Sequence, residues 1–187
     1  MRIILMGPPG AGKGTQASVI SRHLGVPHIS SGEIFRLNMA ANTPLGVAAR
    51  QFIERGDYVP DDITNGMIRE RLVEPDASEG FLLDGYPRTL DQIHRLDEML
   101  AEAGQSIDAV IEMTVDVDIV VKRLAARAAL EGRSDDDDEI IRNRLDVYRD
   151  QTEPLTAVYA ERGLLRRVDA IGQVSEVTQR ILDALER

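Results

Sequence analysis

Hydrophobic positions along the chain follow two rhythms that take turns. Short runs rich in apolar residues, bounded by Gly, Pro or acids, recur at 2–6 (RIILM), 26–30 (VPHIS), 80–84 (GFLLD), 108–115 (DAVIEMTV) and 164–168 (LLRRV). Runs of this length suit strands buried in a parallel sheet. Between them the apolar residues step by three and four, the period of a helix. Ala17, Ile20 and Leu24 follow Lys13 at this spacing, and Ile63, Met67, Ile68 and Leu72 follow Pro60-Asp61-Asp62. Leu90, Ile93, Leu96 and Leu100 make a core-facing stripe over 89–103, and Val174, Val177, Ile181, Leu182 and Leu185 make another over 173–186. A helix is also predicted over 116–128.

Punctuation residues sharpen these boundaries. Ser30 and Glu33 have capping-box spacing, so a helix starts at Ser30 or Ser31. Thr43-Pro44 starts another, running to Arg55 and closed by Gly56. Residues 30–59 therefore form two short helices inserted between a strand and the main body. From Glu131 to Glu139 the chain turns polar and acidic (EGRSDDDDE). Helix resumes near Ile140 and is interrupted before Pro154, where a new helix begins. Strands alternating with helices predict an α/β fold, a five-stranded parallel sheet with helices on both faces. Ligands of such sheets bind beyond the strand C-termini.

Composition narrows the class. A chain of 187 residues with 43% hydrophobic residues can build one compact unit, and with only 4% aromatics its core is aliphatic. The absence of cysteine removes disulfides and thiolate metal sites. The chain opens directly into a strand and carries no apolar run of spanning length, which predicts a soluble cytoplasmic protein without membrane contact. Its formal charge of −10 argues against a broad nucleic-acid surface and for small, localised basic sites.

The chemistry is concentrated where strand meets helix. Gly7-x-x-x-x-Gly12-Lys13 lies between the first strand and the first helix. Gly7, Gly10 and Gly12 let backbone N–H groups turn towards an anion, the helix adds its positive N-terminal end, and Lys13 reaches the outer phosphates of a nucleotide. A glycine-rich turn needs no ligand, but this one has the strand and helix context that phosphate binding requires. One position departs from the usual pattern. Gly14 stands where a Ser or Thr would ligate Mg²⁺, and Thr15 follows, its hydroxyl turned by about 100°. The metal is then held mainly by nucleotide and water. At the end of the third strand stand Asp84 and, four residues on, Arg88. Asp84 is suited to Mg²⁺ through water, and Arg88 to bidentate contact with a phosphate. Taken singly, a helix cap and a surface ion pair would explain them as well.

GPPGAGKGTQA, ISSGEIFR, DGYPR with Gln92 beyond it, and NRLDVYRDQTEPL together resemble the P-loop adenylate kinases of the bacterial short-lid type, over essentially the whole chain. The resemblance implies a core of 1–29, 60–125 and 137–187, a monophosphate-binding flap of 30–59 and a short lid of 126–136. It implies that Gly10, Ala11, Gly12, Lys13, Gly14 and Thr15 bind ATP phosphates, with Arg123 and Gly172 by its adenine and Arg127 at its phosphates. It places Ser31, Arg36, the backbone of Asp57, Tyr58 and Val59, then Gly85, Tyr86, Pro87 and Arg88, around AMP. Gln92 reads the adenine edge, its amide offering a donor and an acceptor. Arg133 and Arg144 clamp AMP and the transferring phosphoryl group, so that Lys13, Arg88, Arg133 and Arg144 are the catalytic set. Asp84 holds Mg²⁺ through water. Asp135 and Asp136 orient the lid arginine. The implied partners are ATP, AMP and ADP, the implied cofactor is Mg²⁺ without zinc, and the implied state is a monomer.

Two positions differ from the family pattern. Ser31 replaces the usual Thr, keeping the hydroxyl and losing a methyl contact. Ala128 to Gly132 make the link between Arg127 and Arg133 longer than in the minimal short lid. Asp137 and Asp138 read as a solvated helix start, and His23, His28 and His94 as surface or core residues. The implied reaction is reversible phosphoryl transfer from MgATP to AMP, giving two ADP. A kinase of UMP or CMP is the nearest rival. A slow nucleotide-dependent switch is another, and it would predict a hydroxyl directly after Lys13.

Overall fold

The computed structural model describes residues 1–131 and 137–186. Five strands form one sheet: β1 (Arg2–Met6), β2 (His28–Ser30), β3 (Phe81–Asp84), β4 (Ala109–Thr114) and β5 (Leu165–Asp169). Their order is β2-β3-β1-β4-β5, and every neighbouring pair is parallel. The strand order reverses beside β1, whose C-terminal end feeds the glycine loop, the place where a sheet of this kind opens a crevice.

Alternation along β1 builds two cores. Ile4 and Met6 point to one face with Ile29, Phe81, Leu83 and Val110. Ile3 and Leu5 point to the other with Leu82, Ile111, Met113 and Val168, as the two-residue period of a strand requires. The helices covering the first face are α4 (Asp61–Leu72), α5 (Leu90–Glu102) and α8 (Leu155–Glu161), through Met67, Ile68, Ile93, Leu96, Leu100, Leu155 and Tyr159. The second face is covered by α1 (Lys13–Leu24) and α9 (Val174–Leu185), through Ala17, Ile20, Val177 and Ile181. Each fully buried Leu or Ile here contributes roughly 1.5–3 kcal/mol.

The inserted pair is α2 (Ser31–Ala40) and α3 (Pro44–Ile53). Their starts follow the sequence signals: Ser30 Oγ accepts from Glu33 N–H at 3.3 Å, and Thr43 Oγ1 accepts from Gly46 N–H at 3.1 Å with Pro44 in the first helical turn. Each cap stabilises its helix by about 1 kcal/mol. α6 (Val117–Glu131) and α7 (Asp138–Val147) follow, and a π-helical turn (Tyr148–Thr152) leads to Pro154 and α8.

Some expected boundaries and orientations are corrected. β2 is the shorter span 28–30, α6 runs on to Glu131, and α7 begins at Asp138 because Asp137 caps it, its Oδ1 accepting from Glu139 N–H at 3.1 Å. Leu90 and Val174 do not face the core; they are 55% and 50% exposed. Both are the first residues of their helices, and because Cβ atoms tilt towards the helix N-terminus their side chains overhang the end of the packed face. Among the described residues no helix is long and apolar enough to cross a membrane.

Candidate active site

The glycine loop owes its shape to crowding against β4. Gly7 has φ +146°, and a Cβ there would lie 2.7 Å from the Met113 carbonyl oxygen. Only glycine fits that contact and that backbone together. α1 starts at Gly12 without a side-chain cap, so its first N–H groups are turned to the loop. The Lys13 ammonium folds back over the loop and donates to the carbonyls of Gly7 at 2.7 Å and Pro8 at 2.9 Å. Burial pushes its pKa down to about 8; Asp84 opposes this, while Arg88, Arg144 and Arg127 add to it.

Asp84 ends β3 beside this loop. Burial alone would raise its carboxyl, but His28 and then Lys13 outweigh that and hold it below the usual carboxylate range. His28 Nε2 sits 3.5 Å from Asp84 Oδ2, an ion-pair distance too long for a well-formed hydrogen bond. The register explains the contact. Ser30 pairs with Asp84 across β2 and β3, and His28, two residues earlier, shares its face. His28, read from sequence as a surface or core residue, is half-buried beside Asp84.

The chain after Asp84 turns through Gly85, where φ is +78° and a Cβ would lie 2.8 Å from Ser31 Oγ and 2.9 Å from Arg88 Nη2. The Gly85 carbonyl accepts from both Ser31 Oγ and Arg88 Nε, each at 2.7 Å. One peptide group thus joins the start of α2 to the arginine. Since Nε is the tied atom, the two terminal nitrogens of Arg88 are the ones able to grip a phosphate. The guanidinium also lies over the Tyr58 ring, 4.9 Å from its centroid, a cation–π contact. Tyr58 and Thr152 hydroxyls are 2.7 Å apart, and Thr152 Oγ1 donates to the Arg88 carbonyl at 2.9 Å. A hydroxyl has one proton, so Tyr58 is the donor to Thr152. The link between α3 and α4, the π-helical turn and the β3 loop converge on Arg88.

Two cavities open here. The smaller lies between the α2–α3 pair and the β3 loop and is lined by Ser31, Arg36, Asp57, Tyr58, Val59, Gly85, Pro87 and Gln92. The larger lies over the glycine loop and is lined by Gly10, Ala11, Gly12, Gly14, Thr15, Asp84, Arg123, Arg127 and Gly172. Four cationic side chains, Lys13, Arg36, Arg88 and Arg144, line both. Among the described residues no three His, Asp or Glu side chains gather into a metal site.

Most residues singled out from sequence therefore line a cavity, with two differences in detail. Tyr86 faces the core at 1% exposure, and its hydroxyl donates to Asn65 Oδ1 at 2.8 Å. Arg123 reaches the larger cavity while clipping it shut at one side, donating to the carbonyls of Ala11 at 3.3 Å and Ala170 at 3.1 Å. Arg133, Asp135 and Asp136 lie outside the described residues. Sequence reasoning missed Asp61, Asn143 and Thr152, each of which fixes a site residue from a distant part of the chain. No local spacing announces them.

The chain matches the family model for adenylate kinase over residues 5–164. It is 54% identical to an adenylate kinase of Thermobifida fusca over 186 residues, covering 100% of this chain and 98% of the relative. It is likewise 54% identical to one of Nocardioides, covering 97% of that relative, and 51% identical to one of Nocardia farcinica over the full length of both. With a phosphate loop, a facing acid-ended strand and matching relatives along its whole length, this chain belongs to the adenylate kinase family.

Proposed function

We propose that the larger cavity takes MgATP and the smaller takes AMP, so that the two nucleotides meet phosphate to phosphate over Lys13, Arg88 and Arg144. The chain is an ATP:AMP phosphotransferase, moving the terminal phosphoryl group of MgATP to AMP and back, with two ADP as products. The observation that carries this reading is the sharing of four cations, Lys13, Arg36, Arg88 and Arg144, by both cavities. A protein of formal charge −10 repels anionic nucleotides, and only such a local cluster reverses the field at the point of transfer.

Phosphoryl transfer needs alignment and charge neutralisation more than covalent help. The N–H groups from Gly10 to Thr15 cradle the ATP phosphates, Arg127 meets them from the far wall, and Arg123 and Gly172 flank the adenine. A phosphate entering the loop offers Lys13 a charged partner stronger than the Gly7 and Pro8 carbonyls. Ser31, Arg36 and Arg88 hold the AMP phosphate end, the Asp57–Val59 backbone and Gly85–Pro87 wall its ribose and base, and Gln92 reads the base. Arg144, with Arg133, clamps the group in flight. Asp84, buried and held ionised, suits the Mg²⁺ that travels with ATP, bridged by water; the ion adds positive charge on the phosphates. Residues 30–59 act as a flap and 126–136 as a lid over the core, closing to exclude water, which would otherwise take the phosphoryl group. The enzyme works as a monomer in the cytoplasm.

Steady-state ADP formation from MgATP with AMP, UMP and CMP tests this reading. AMP should be the preferred acceptor, in keeping with the relatives' shared name. Equal turnover of UMP or CMP overturns it in favour of a pyrimidine nucleotide kinase.

A further inference from the structure

The amide of Gln92 is 1% exposed and held at both ends. Its Oε1 accepts from the Arg88 backbone N–H at 2.7 Å, and its Nε2 donates to Asp61 Oδ1 at 2.6 Å. The other Asp61 oxygen, Oδ2, accepts from Thr89 Oγ1 at 2.7 Å, and Thr89 Oγ1 in turn caps α5 by accepting from Gln92 N–H at 3.2 Å. A backbone N–H can only donate and an ionised carboxylate can only accept. The Gln92 amide therefore has one satisfied orientation; turned over, it would set donor against donor and acceptor against acceptor, buried. Leaving such groups buried and unmatched disfavours that orientation strongly.

Held this way, the amide keeps one N–H and one carbonyl lone pair in hand. The edge of a 6-aminopurine offers N1 as acceptor and N6–H as donor, which this pair matches. A 6-oxopurine reverses both, with N1–H as donor and O6 as acceptor, and matches only a turned amide. We propose that Asp61 is a positioning residue that sets the acceptor-base selectivity of the enzyme by locking the Gln92 amide for a 6-aminopurine. The inference rests on the proposed placement of AMP against Gln92. It gives a reason for an acid on α4 to be tied to a helix cap and a base-reading amide at once.

The test compares kcat/KM for AMP and for inosine monophosphate, with MgATP as donor, in the intact enzyme and in Asp61→Asn. Asn is the same shape and presents either an oxygen or an NH₂, so its end of the contact no longer opposes a turned Gln92 amide, and only the Arg88 N–H then disfavours it. The preference for AMP over the 6-oxo nucleotide should fall by about tenfold, with the KM for ATP within twofold of the parent. In a Gln92→Leu background the same change at Asp61 should leave the remaining preference unaltered, because the lock acts through the amide. Calorimetric titration of each monophosphate into folded protein reads the same ratio should Asp61→Asn lower stability. An unchanged preference in Asp61→Asn, where Gln92→Leu abolishes it, overturns the lock and leaves the AMP site standing. If Gln92→Leu itself leaves the preference intact, the base is not read there, and both the lock and the assignment of the base to Gln92 fall.

Discussion

Asn143 on α7 donates to the Asp57 carboxylate at 2.9 Å and, through the same nitrogen, to the Arg55 carbonyl at 2.8 Å. The contact joins the link between α3 and α4 to α7. Beside it, a Cβ on Gly56 would lie 2.9 Å from Arg144 Cγ and 3.0 Å from Ile140 Cγ2. That link thus rests against the helix that carries Arg144.

Asn143→Ala removes both bonds while leaving the cavity walls in place. Partly exposed hydrogen bonds contribute towards the low end of about 0.5–1.5 kcal/mol each, so the KM for AMP should rise by roughly three- to tenfold. The KM for ATP should change less. Steady-state kinetics with each substrate varied checks this; equal rises in the two constants would mean that the contact supports the fold and not the flap.

Lys13 gives the free enzyme a pH signature. Its pKa of about 8 lies below the ordinary lysine value of 10.5. Below pH 8 the ammonium is charged in folded and unfolded chains alike, and the cost of burying it is felt in full. Between about 8 and 10.5 the unfolded chain binds more protons, so this group adds stability as pH rises. A bound phosphate favours the charged form and raises the pKa again. ATP binding should then take up protons near pH 8 and weaken at higher pH. Calorimetry in buffers of different ionisation enthalpy measures the uptake, and a proton count of zero at pH 8–9 would contradict it. Lys13→Met should abolish the uptake and lower turnover by about 10²–10³-fold, the scale for losing one preorganised donor.

Removing divalent metal should stop turnover without moving the thermal midpoint. The chain has no cysteine, and no cluster of three ligating side chains gathers among its described residues, so the expectation is that metal binding leaves folding unaffected. Differential scanning calorimetry with and without chelator checks this. A fall of the midpoint by many degrees would reveal a structural ion.

Arg133→Ala should lower kcat by up to about 10³-fold, the scale of an arginine finger acting in the same chain, with a smaller change in AMP affinity. Single-turnover measurements at saturating AMP separate the two. A rise in KM with kcat intact would make Arg133 a binding residue and leave Arg127 and Arg144 as the clamp.

Helix starts, the strand ends and the phosphate loop were readable from spacing alone, since each is decided within about one helical turn. Ser30 with Glu33, Thr43 with Pro44, and Gly7 with Lys13 all interact across a few residues. The stripes through Ile93, Leu96 and Leu100 and through Val177 and Ile181 announced their helices for the same reason. Leu90 and Val174 matched the period yet point outwards, because periodicity says nothing about where the covering layer stops. The residues that hold the site in shape lie in another class. His28 meets Asp84 only through strand pairing, Asn143 meets Asp57 across 86 residues, Tyr58 meets Thr152 across 94, and Asp61 meets Gln92 across 31. Hydrogen bonds at that separation depend on how sheet, flap and helices pack. Local sequence carries no record of that packing, so the residues that line the two cavities were legible and those that hold them in shape were not.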